Sequence, residues 1–404
     1  MASILGGKKI LLGVTAGIAA YKTASLVRLF IKSGAQVKVV MTPAAKDFVT
    51  PLTLSTLSKN PVNSSFYDEE DENAEWNNHV ELGLWADLMI IAPATANTLS
   101  KMSTGNSDNL LLATYLSAKC PVYFAPAMDL DMYNHPSTHE TFKKLQEFGN
   151  VMIPAESGEL ASGLVGQGRM AEPENIISFI EADILEKLPL KGQKVLITAG
   201  PTYEAIDPVR FIGNHSTGRM GIELASQAAS LGAEVTLVLG PSSLTVDHGL
   251  INVVPVVNAE SMYEAVEKEF ESCDIAIASA AVADYRPKNV SDQKIKKSDS
   301  SFAIELERTT DILKWMGSVK KEQFLVGFAL ETQNEEENAK AKLKKKNLDL
   351  IVLNSLNDKG AGFKGKTNKV TLINHKMEIK AFDLKTKAEV AQDIFNEINT
   401  QRNA

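Results

Sequence analysis

The sequence predicts an α/β fold with two Rossmann-like domains, each a mostly parallel sheet flanked by helices. A β-branched strand, a glycine-bearing turn and a helix open the chain at residues 9–22, and the same design returns at 194–202. Each opening is followed by a helix and a second strand, at 35–41 and 233–239. Strands that alternate with helices in this way are typical of parallel sheets.

The length of the chain supports two domains. A chain of 404 residues exceeds what one hydrophobic core usually supports. The segment Leu188-Pro-Leu-Lys-Gly-Gln193 makes a short polar break before the second opening. We therefore predict domains at 1–188 and 189–404.

The elements of the first domain follow from hydrophobic patterning and turn residues. The predicted strands lie near 9–15, 36–42, 87–93, 121–125 and 151–153. The predicted helices include 18–33, 108–118 and 173–187. The glycine-rich segment 157–170 has no periodicity, so we predict a mobile loop there that acts as a lid.

The second domain repeats the alternation and ends on a hairpin and a helix. Its predicted strands lie near 194–199, 235–239, 275–279, 324–329 and 349–353. A late hairpin is predicted from 368–374 and 377–382, joined around Asn374-His375-Lys376. The closing helix is predicted at 386–398.

Composition excludes several classes of protein. The net charge of −8 argues against a nucleic-acid binder, which normally shows a basic face. The two cysteines, Cys120 and Cys273, fit a reduced cytoplasm and give neither a disulfide framework nor a zinc signature. The N-terminus lacks a signal-peptide layout, and the apolar runs are shorter than a membrane span. We expect a soluble cytoplasmic protein.

Two charge runs have different interpretations. The acidic run Asp68–Glu72 is most simply a solvated loop. Five lysines between Lys340 and Lys346 lie in a helical segment. This second run is either a solvated helix face or a clamp for phosphate groups.

Polar residues follow the strands of the first domain. Thr15, Thr42, Thr95 and Asn97 lie just past strand ends, where open α/β sheets bind ligands. The first turn carries only Gly13 and Gly17, so a dinucleotide fingerprint is not supported. The alternative is that these are ordinary polar turns.

Two further residues are candidates for proton transfer or substrate contact. His79 is expected directly before the strand that leads to the Thr95 turn, and it is either a proton shuttle or a structural histidine. Asp129 follows another strand end at the same rim. Its alternative is a plain acidic helix cap.

Four motifs of the first half carry a family resemblance. They are His79-Val-Glu-Leu82, Ala92-Pro-Ala-Thr-Ala-Asn97, Pro126-Ala-Met-Asp-Leu-Asp-Met-Tyr133 and Gly166-Gln-Gly-Arg-Met170. In this order they resemble the flavin-dependent cysteine decarboxylases, a group that includes phosphopantothenoylcysteine decarboxylases.

The second half is similar to phosphopantothenate–cysteine ligases. The matching segments are Thr198–Thr202, Asp207–Arg210, Asn214–Gly218, Ala280–Tyr285 and Lys294–Lys297. Both halves in this order resemble the fused bacterial enzymes of coenzyme A synthesis, with a flavodoxin-like flavoprotein before the ligase.

The resemblance implies an FMN-dependent decarboxylation in the first half. The cysteine moiety is oxidised to a thioaldehyde, loses CO2, and the resulting enethiolate is reduced by the same FMN. The resemblance makes His79 the catalytic base or proton shuttle. It assigns the flavin contacts to Gly13, Thr15, Gly17, Thr42, Pro93, Ala94, Thr95 and Asn97.

Two positions depart from the pattern of this family. Asp129 stands where the family often has Asn, so it donates to a substrate carboxylate only with a raised pKa, or it plays another role. Ser162 stands where many relatives carry a lid Cys that donates a proton. Because a hydroxyl is a far weaker acid than a thiol, the final protonation step is unassigned.

The resemblance implies a CTP-dependent ligation in the second half, through an acyl-cytidylate. Asn214 is associated with handling the acyl-cytidylate, and Mg2+ or Mn2+ is expected on the pyrophosphate, with unknown metal ligands. The match to Lys342 and Lys346 favours the phosphate-clamp interpretation. The implied CTP contacts are Ala278, Ser279, Ala280, Asp284, Lys294, Thr310, Asp311, Ile312, Leu313, Phe328, Lys342 and Lys346.

The expected partners are small molecules: 4′-phosphopantothenate, cysteine and CTP, with neither nucleic acid nor membrane. The resemblance also implies a homo-oligomer, a dodecamer in this family. The alternatives are a non-catalytic FMN-binding regulator, an NAD(P)-dependent oxidoreductase, and a decarboxylase of peptides that end in cysteine.

Overall fold

The chain divides into two units between Ile184 and Leu185, each built on its own sheet. The computed structural model describes residues 3–67, 76–246, 248–296, 303–355 and 365–403. The acidic run Asp68–Glu72 and Lys297 of the ligase motif lie outside these ranges.

The first unit alternates strands and helices. Its strands are β1 Lys9–Val14, β2 Gln36–Met41, β3 Val62–Asn63, β4 Leu88–Ala94, β5 Val122–Pro126, β6 Val151–Met152, β7 Glu156–Glu159 and β8 Val165–Arg169. Its helices are α1 Thr23–Lys32, α2 Pro51–Ser58, α3 His79–Trp85, α4 Ala96–Thr104, α5 Leu110–Ser117, α6 Leu130–Asn134, α7 Pro136–Glu147 and α8 Pro173–Glu186. A short 3-10 helix, Ile18–Lys22, precedes α1, so the predicted helix 18–33 has two parts.

The main sheet of this unit is parallel and has the order β3-β2-β1-β4-β5-β6. This is the order of the Rossmann-like doubly wound fold. A flavodoxin-like sheet has the order 2-1-3-4-5, so the strand order of this sheet differs from the flavodoxin one. Strand β4 is buried along its whole length, as expected for a strand covered by helices on both faces.

The segment predicted as a mobile loop at 157–170 is a β-hairpin instead. Strands β7 and β8 pair antiparallel, from Glu156 opposite Arg169 to Glu159 opposite Val165. Gly158, Gly166 and Gly168 interrupt the two strands. Because glycine has no side chain, the alternating pattern that indicates a strand is missing from this sequence.

A second correction concerns His79. It is the first residue of α3 and does not lie directly before β4. The Asn78 side chain caps this helix, since its Oδ1 accepts from the N–H groups of Val80 and Glu81 at 3.0 and 3.3 Å.

The second unit is larger. Its strands are β9 Lys194–Ala199, β10 Tyr203–Ala205, β11 Phe211–Gly213, β12 Glu234–Leu239, β13 Ile251–Pro255, β14 Ile275–Ala278, β15 Tyr285–Pro287, β16 Leu306–Arg308, β17 Phe324–Glu331, β18 Leu350–Ser355, β19 Thr367–Asn368, β20 Val370–Asn374, β21 Ile379–Ala381 and β22 Lys385–Thr386. Its helices are α9 Arg219–Ser230, α10 Ala259–Phe270, α11 Ile312–Val319, α12 Glu335–Lys345 and α13 Lys387–Arg402.

Eight strands form the main sheet of this unit, in the order β13-β12-β9-β14-β17-β18-β20-β21. The six strands from β13 to β18 are parallel, and β20 and β21 are antiparallel. The predicted late hairpin is therefore confirmed. This hairpin extends the sheet beyond β18. Strand β13, at the opposite edge, was not predicted.

Among the helices that the structure describes, none is both long enough and apolar enough to cross a bilayer.

Candidate active sites

A cavity of about 940 Å³ lies at the carboxyl edge of the first sheet. The turns after β1, β2, β4 and β5 form its walls. Ligands of open α/β sheets bind at this edge, where the strand order reverses between β1 and β4.

Half of the predicted flavin contacts line this cavity. The predicted contacts that line it are Gly17, Thr42, Thr95 and Asn97. The remaining predicted residues lie outside the cavity lining: Gly13, Thr15, Pro93 and Ala94.

The predicted residues that lie outside the cavity lining support the turns that form its wall. Thr15 is fully buried, and its Oγ1 donates to the Pro93 carbonyl at 2.7 Å and accepts from the Thr95 N–H at 3.3 Å. A Cβ on Gly13 would approach Ile91 Cδ1 to 2.7 Å, so this glycine permits tight packing in the sheet. These residues position the cavity wall.

One orphaned polar atom indicates that the cavity takes a polar ligand. Thr42 Oγ1 is buried and has no hydrogen-bond partner among the described residues. Gly17, at the start of the 3-10 helix, offers no side-chain cap to the N–H groups of the first turn. A ligand with hydrogen-bonding oxygens, such as the phosphate of FMN, fits these groups.

His79 is not among the cavity-lining residues. Its Nδ1 is buried without a partner among the described residues, and the Phe66 ring lies edge-on to the imidazole at 6.0 Å between centroids. Within one chain, the predicted proton shuttle is therefore apart from the flavin turns.

Asp129 lines the cavity and also caps α6, since its Oδ1 accepts from the Leu130 N–H at 2.7 Å. This supports the helix-cap alternative for Asp129. Ser162 is exposed and outside the cavity, where its Oγ accepts from the Leu164 N–H at 3.4 Å. The β7–β8 hairpin places other residues at the cavity: Glu159, Leu160 and Ala161.

An ion-pair cluster at the foot of this hairpin was missed by sequence reasoning. Lys22 is 6% exposed, and its Nζ donates to the Met170 carbonyl and to Glu172 Oε1, both at 3.0 Å. Arg169 Nη2 pairs with the same Glu172 oxygen at 2.5 Å. The hydrogen bond from Lys22 holds the pKa of Glu172 below its usual value, with Arg169 adding to the effect.

A second cavity, of about 460 Å³, lies at the carboxyl edge of the second sheet. The ends of β9, β14, β17 and β18 contribute to its walls. Asn214 and every predicted CTP contact except Lys294 line it. The fold therefore brings the predicted residues, which are spread from 214 to 346 in the sequence, together around one cavity.

The lysine clamp predicted on α12 is part of this cavity. Lys342 Nζ donates to the Phe328 carbonyl at 2.7 Å, and Lys346 Nζ pairs with Asp311 Oδ1 at 3.0 Å. Asp311 also caps α11 by accepting from the Lys314 N–H at 3.0 Å. Because Lys342 and Lys346 are one helical turn apart, both side chains reach the same cavity.

Two ionisable groups at the clamp, Lys342 and Asp311, have shifted pKa values. Burial lowers the pKa of Lys342, and the charge of Lys346 lowers it further. Burial alone would raise the pKa of Asp311. The Lys314 N–H and the Lys346 ammonium outweigh it and hold that pKa below its usual value.

These shifts predict a pH dependence of nucleotide use. Lys342 loses its proton at lower pH than an ordinary lysine, so its attraction for phosphate weakens earlier as the pH rises. We expect kcat/KM for CTP to fall as this proton is lost. Lys342→Arg should move this fall to higher pH, because arginine stays protonated. Identical pH profiles in the two proteins would contradict the assignment.

Asn214 and Lys294 are placed differently from each other. Asn214 Nδ2 donates to the carbonyls of Ala281 and Val282 at 3.0 and 3.2 Å. Lys294 is exposed and outside the cavity. Its neighbour Ile295 is held by the Asp207–Arg210 pair: the Ile295 N–H donates to Asp207 Oδ2, and its carbonyl accepts from Arg210 Nη2.

Sequence reasoning missed several residues at the inner end of the second cavity. Lys387, the first residue of α13, is 4% exposed and lines it. Burial lowers the pKa of Lys387, and Arg219 adds to the effect. Asn354 Oδ1 is buried without a partner among the described residues. The sequence signals a helix start near Thr386, but nothing in it indicates that Lys387 points inward.

The part of the chain that the structure describes contains no cluster of three or more His, Cys, Asp or Glu side chains that could hold a metal ion.

Two Rossmann-like units, each with a cavity at the carboxyl edge of its sheet, define a two-domain α/β protein with two candidate ligand sites. Residues 3–185 match the Flavoprotein family model. Residues 190–401 match the model described as DNA/pantothenate metabolism flavoprotein C-terminal domain.

Three similar proteins illustrate the range of relatives. A coenzyme A biosynthesis bifunctional protein CoaBC of Bacillus subtilis is 46% identical, over 98% of this chain and 97% of the relative. A cysteine/cysteine sulfinic acid decarboxylase from an unknown prokaryotic organism is 56% identical, over 87% of this chain and 99% of the relative. The FMN binding protein AtHal3 is 32% identical, over 45% of this chain and 98% of that chain, with a TM-score of 0.38.

The chain belongs to the family of bifunctional coenzyme A biosynthesis proteins. It is a decarboxylase and ligase that acts in two consecutive steps of coenzyme A biosynthesis. The flavoprotein match supports the predicted FMN cofactor.

Proposed function

We propose that the second cavity joins 4′-phosphopantothenate to cysteine with CTP and Mg2+ or Mn2+, and that the first cavity decarboxylates the product. The convergence of Asn214 and the predicted CTP contacts on a single cavity carries this proposal. Such a cavity combines small residues, which allow close approach to a nucleotide, with the Lys342–Lys346 clamp.

The charges of the second cavity suggest how the ligation is arranged. Lys342 and Lys346 neutralise the triphosphate, where negative charge gathers as pyrophosphate leaves. Lys387 and Arg219, which also line this cavity, attract the phosphate of phosphopantothenate. The carboxylate between them then attacks the α-phosphate of CTP, and the amine of cysteine displaces CMP from the acyl-cytidylate.

In the first cavity, bound FMN supplies reversible two-electron oxidation of the cysteine side chain. Thr42 and the turn at Gly17 would hold its phosphate, and Thr15 fixes the Thr95 turn in the wall of the same cavity. Asp129 keeps the start of α6 in place. We propose that His79 takes the proton of the substrate thiol, acting on the cavity of a second copy within a homo-oligomer.

Two substitutions should separate the steps. We expect His79→Asn to abolish CO2 release and leave CMP release unchanged, because the imidazole serves the first cavity alone. We expect Lys346→Gln, in the lysine clamp of the second cavity, to slow CMP release and leave decarboxylation of supplied phosphopantothenoylcysteine unchanged. Both products are measured in one assay. If neither substitution alters its own step, the site assignment is wrong.

The role of a second copy has its own readout. Mixed oligomers of His79→Asn and a variant whose cavity is blocked, Asn97→Trp, should release CO2 although neither parent does. Mixtures as inactive as their parents would contradict catalysis between copies.

A second candidate activity for the first cavity is decarboxylation of free cysteine or cysteine sulfinic acid. The 56% identical relative favours it. Assays that supply cysteine alone, cysteine sulfinic acid alone, and phosphopantothenoylcysteine separate the candidates by CO2 release. Our proposal requires that phosphopantothenoylcysteine has the highest kcat/KM of the three.

A further inference from the structure

One peptide group in the wall of the second cavity is held at both ends by side chains. It joins Val282 to Ala283, in the segment that follows β14. The Val282 carbonyl accepts from Asn214 Nδ2 at 3.2 Å, and the Ala283 N–H donates to Thr202 Oγ1 at 2.9 Å. The orientation of this peptide plane therefore depends on Thr202 as well as on Asn214.

Thr202 lies behind the wall and does not line the cavity. Its side chain is fully buried, and Ala283 is only 5% exposed. A buried N–H group that loses its acceptor carries a free-energy penalty. Removal of the Thr202 hydroxyl therefore favours rotation of the peptide towards another acceptor.

The residues on either side of this peptide belong to the site. Ala280 and Asp284, two of the predicted CTP contacts, flank it and line the cavity. The carbonyls of Ala283 and Asp284 accept from the Oγ1 and the N–H of Thr309, at 2.6 and 3.0 Å. Because the groups of this short segment are bonded in succession, a rotation of one peptide is transmitted to its neighbours and to the Asn214 side chain.

The first unit has a matching arrangement. Thr15, which follows β1, accepts from the Thr95 N–H, which follows β4. Thr202, beyond β9, likewise accepts from an N–H beyond β14. Strands β1 and β4 are neighbours in their sheet, as β9 and β14 are in theirs. In both units a buried threonine thus joins the turns after two adjacent strands, at the edge where ligands bind.

We propose that Thr202 is a positioning residue for the ligation, whose hydroxyl fixes the Val282–Ala283 peptide and, through it, Asn214 and the nucleotide wall. This rests on the ligation proposed for the second cavity. Asn214 Nδ2 donates to the carbonyls of Ala281 and Val282, so the direction of its amide follows the wall. A displacement of about 1 Å far from the chemistry lowers a rate by about 100-fold.

The test compares Thr202→Val with Thr202→Ser in the full-length chain. Valine has nearly the shape of threonine but lacks the hydroxyl, whereas serine keeps it. We expect Thr202→Val to lower kcat/KM for CTP, measured by CMP release, by roughly 10- to 100-fold. Thr202→Ser should retain most of the activity. CO2 release from supplied phosphopantothenoylcysteine should match wild type in both variants.

Hydrogen exchange followed by mass spectrometry reports on the wall itself. Residues 280–284 should exchange faster in Thr202→Val than in wild type, and the increase should be confined to this wall. Thr202→Ser should show the slow exchange of wild type. Faster exchange throughout the second unit would indicate a merely structural role and would overturn the proposal.

The control for a general loss of stability is Gln323→Leu. Gln323 is buried just before β17, at the amino edge of the same sheet, and its Oε1 accepts from the Lys321 N–H at 2.7 Å. This variant should unfold more easily and still release CMP as wild type does. Wild-type CMP release from Thr202→Val, equal losses in the Val and Ser variants, or an equal loss in Gln323→Leu would overturn the proposal. Absence of CMP release from wild type would instead refute the proposed function.

Discussion

Replacing Lys342 with Met is expected to lower kcat/KM for CTP by roughly 30- to 150-fold. A hydrogen bond to a charged group contributes about 2–3 kcal/mol, and each 1.4 kcal/mol corresponds to about a tenfold change. The buried methionine keeps the packing of the lysine stem, so the loss reports the ammonium group. Steady-state release of CMP at varied CTP concentrations measures it.

The matched control lies on the same helix. Lys345 is exposed and outside the cavity, so Lys345→Met should change kcat/KM less than twofold. Decarboxylation of supplied phosphopantothenoylcysteine should be unaffected in both variants. Equal losses in the two variants would show that the lysine run acts as a general basic surface.

Replacing Gly317 with Ala is expected to destabilise the second unit by about 3 kcal/mol and to abolish ligation. A Cβ on Gly317 would be 1.9 Å from the Lys346 carbonyl oxygen, so α11 and the end of α12 cannot keep their present distance. The displacement moves Lys346 away from Asp311 and opens the phosphate clamp.

Denaturant unfolding and the two product assays measure this prediction. Ser318, the next residue of α11, is exposed, so Ser318→Ala should leave both stability and ligation close to wild type. CO2 release from supplied phosphopantothenoylcysteine should survive in Gly317→Ala. A stable and active Gly317→Ala protein would contradict the packing described for this helix pair.

The strands that form the two sheets were largely predictable, because their buried runs are continuous and are bounded by turn residues. The second cavity was predictable for a related reason: segments such as Ala278–Ala280 and Thr310–Leu313 follow strand ends or start helices. The ends of parallel strands meet at one edge, so local position in the sequence determines position in the cavity.

The remaining features depend on contacts between distant parts of the chain. The β7–β8 hairpin contains too many glycines to show a strand pattern. Lys22 is buried against Glu172, with which it forms an ion pair. Lys387 is buried where it lines the second cavity. Both environments are formed by residues distant in the sequence. Lysine is rarely buried, so its sequence context gave no reason to expect either position.

The positions of His79 and Lys294 outside the two cavities also have physical causes. His79 starts a helix because the Asn78 side chain caps the first turn of that helix. The backbone next to Lys294 is held at Ile295. The Ile295 N–H donates to the buried Asp207 carboxylate, and the Ile295 carbonyl accepts from Arg210. A motif thus identified the segment but not the direction of its side chain.

The most direct test is an assay of the purified full-length chain with 4′-phosphopantothenate, cysteine, CTP and Mg2+. We predict stoichiometric CMP, CO2 and 4′-phosphopantetheine, with phosphopantothenoylcysteine passing through as an intermediate. Omission of CTP should abolish all three products. CO2 and cysteamine formed from cysteine without CTP, and no CMP formed with it, would contradict the assignment of two consecutive steps to the two cavities.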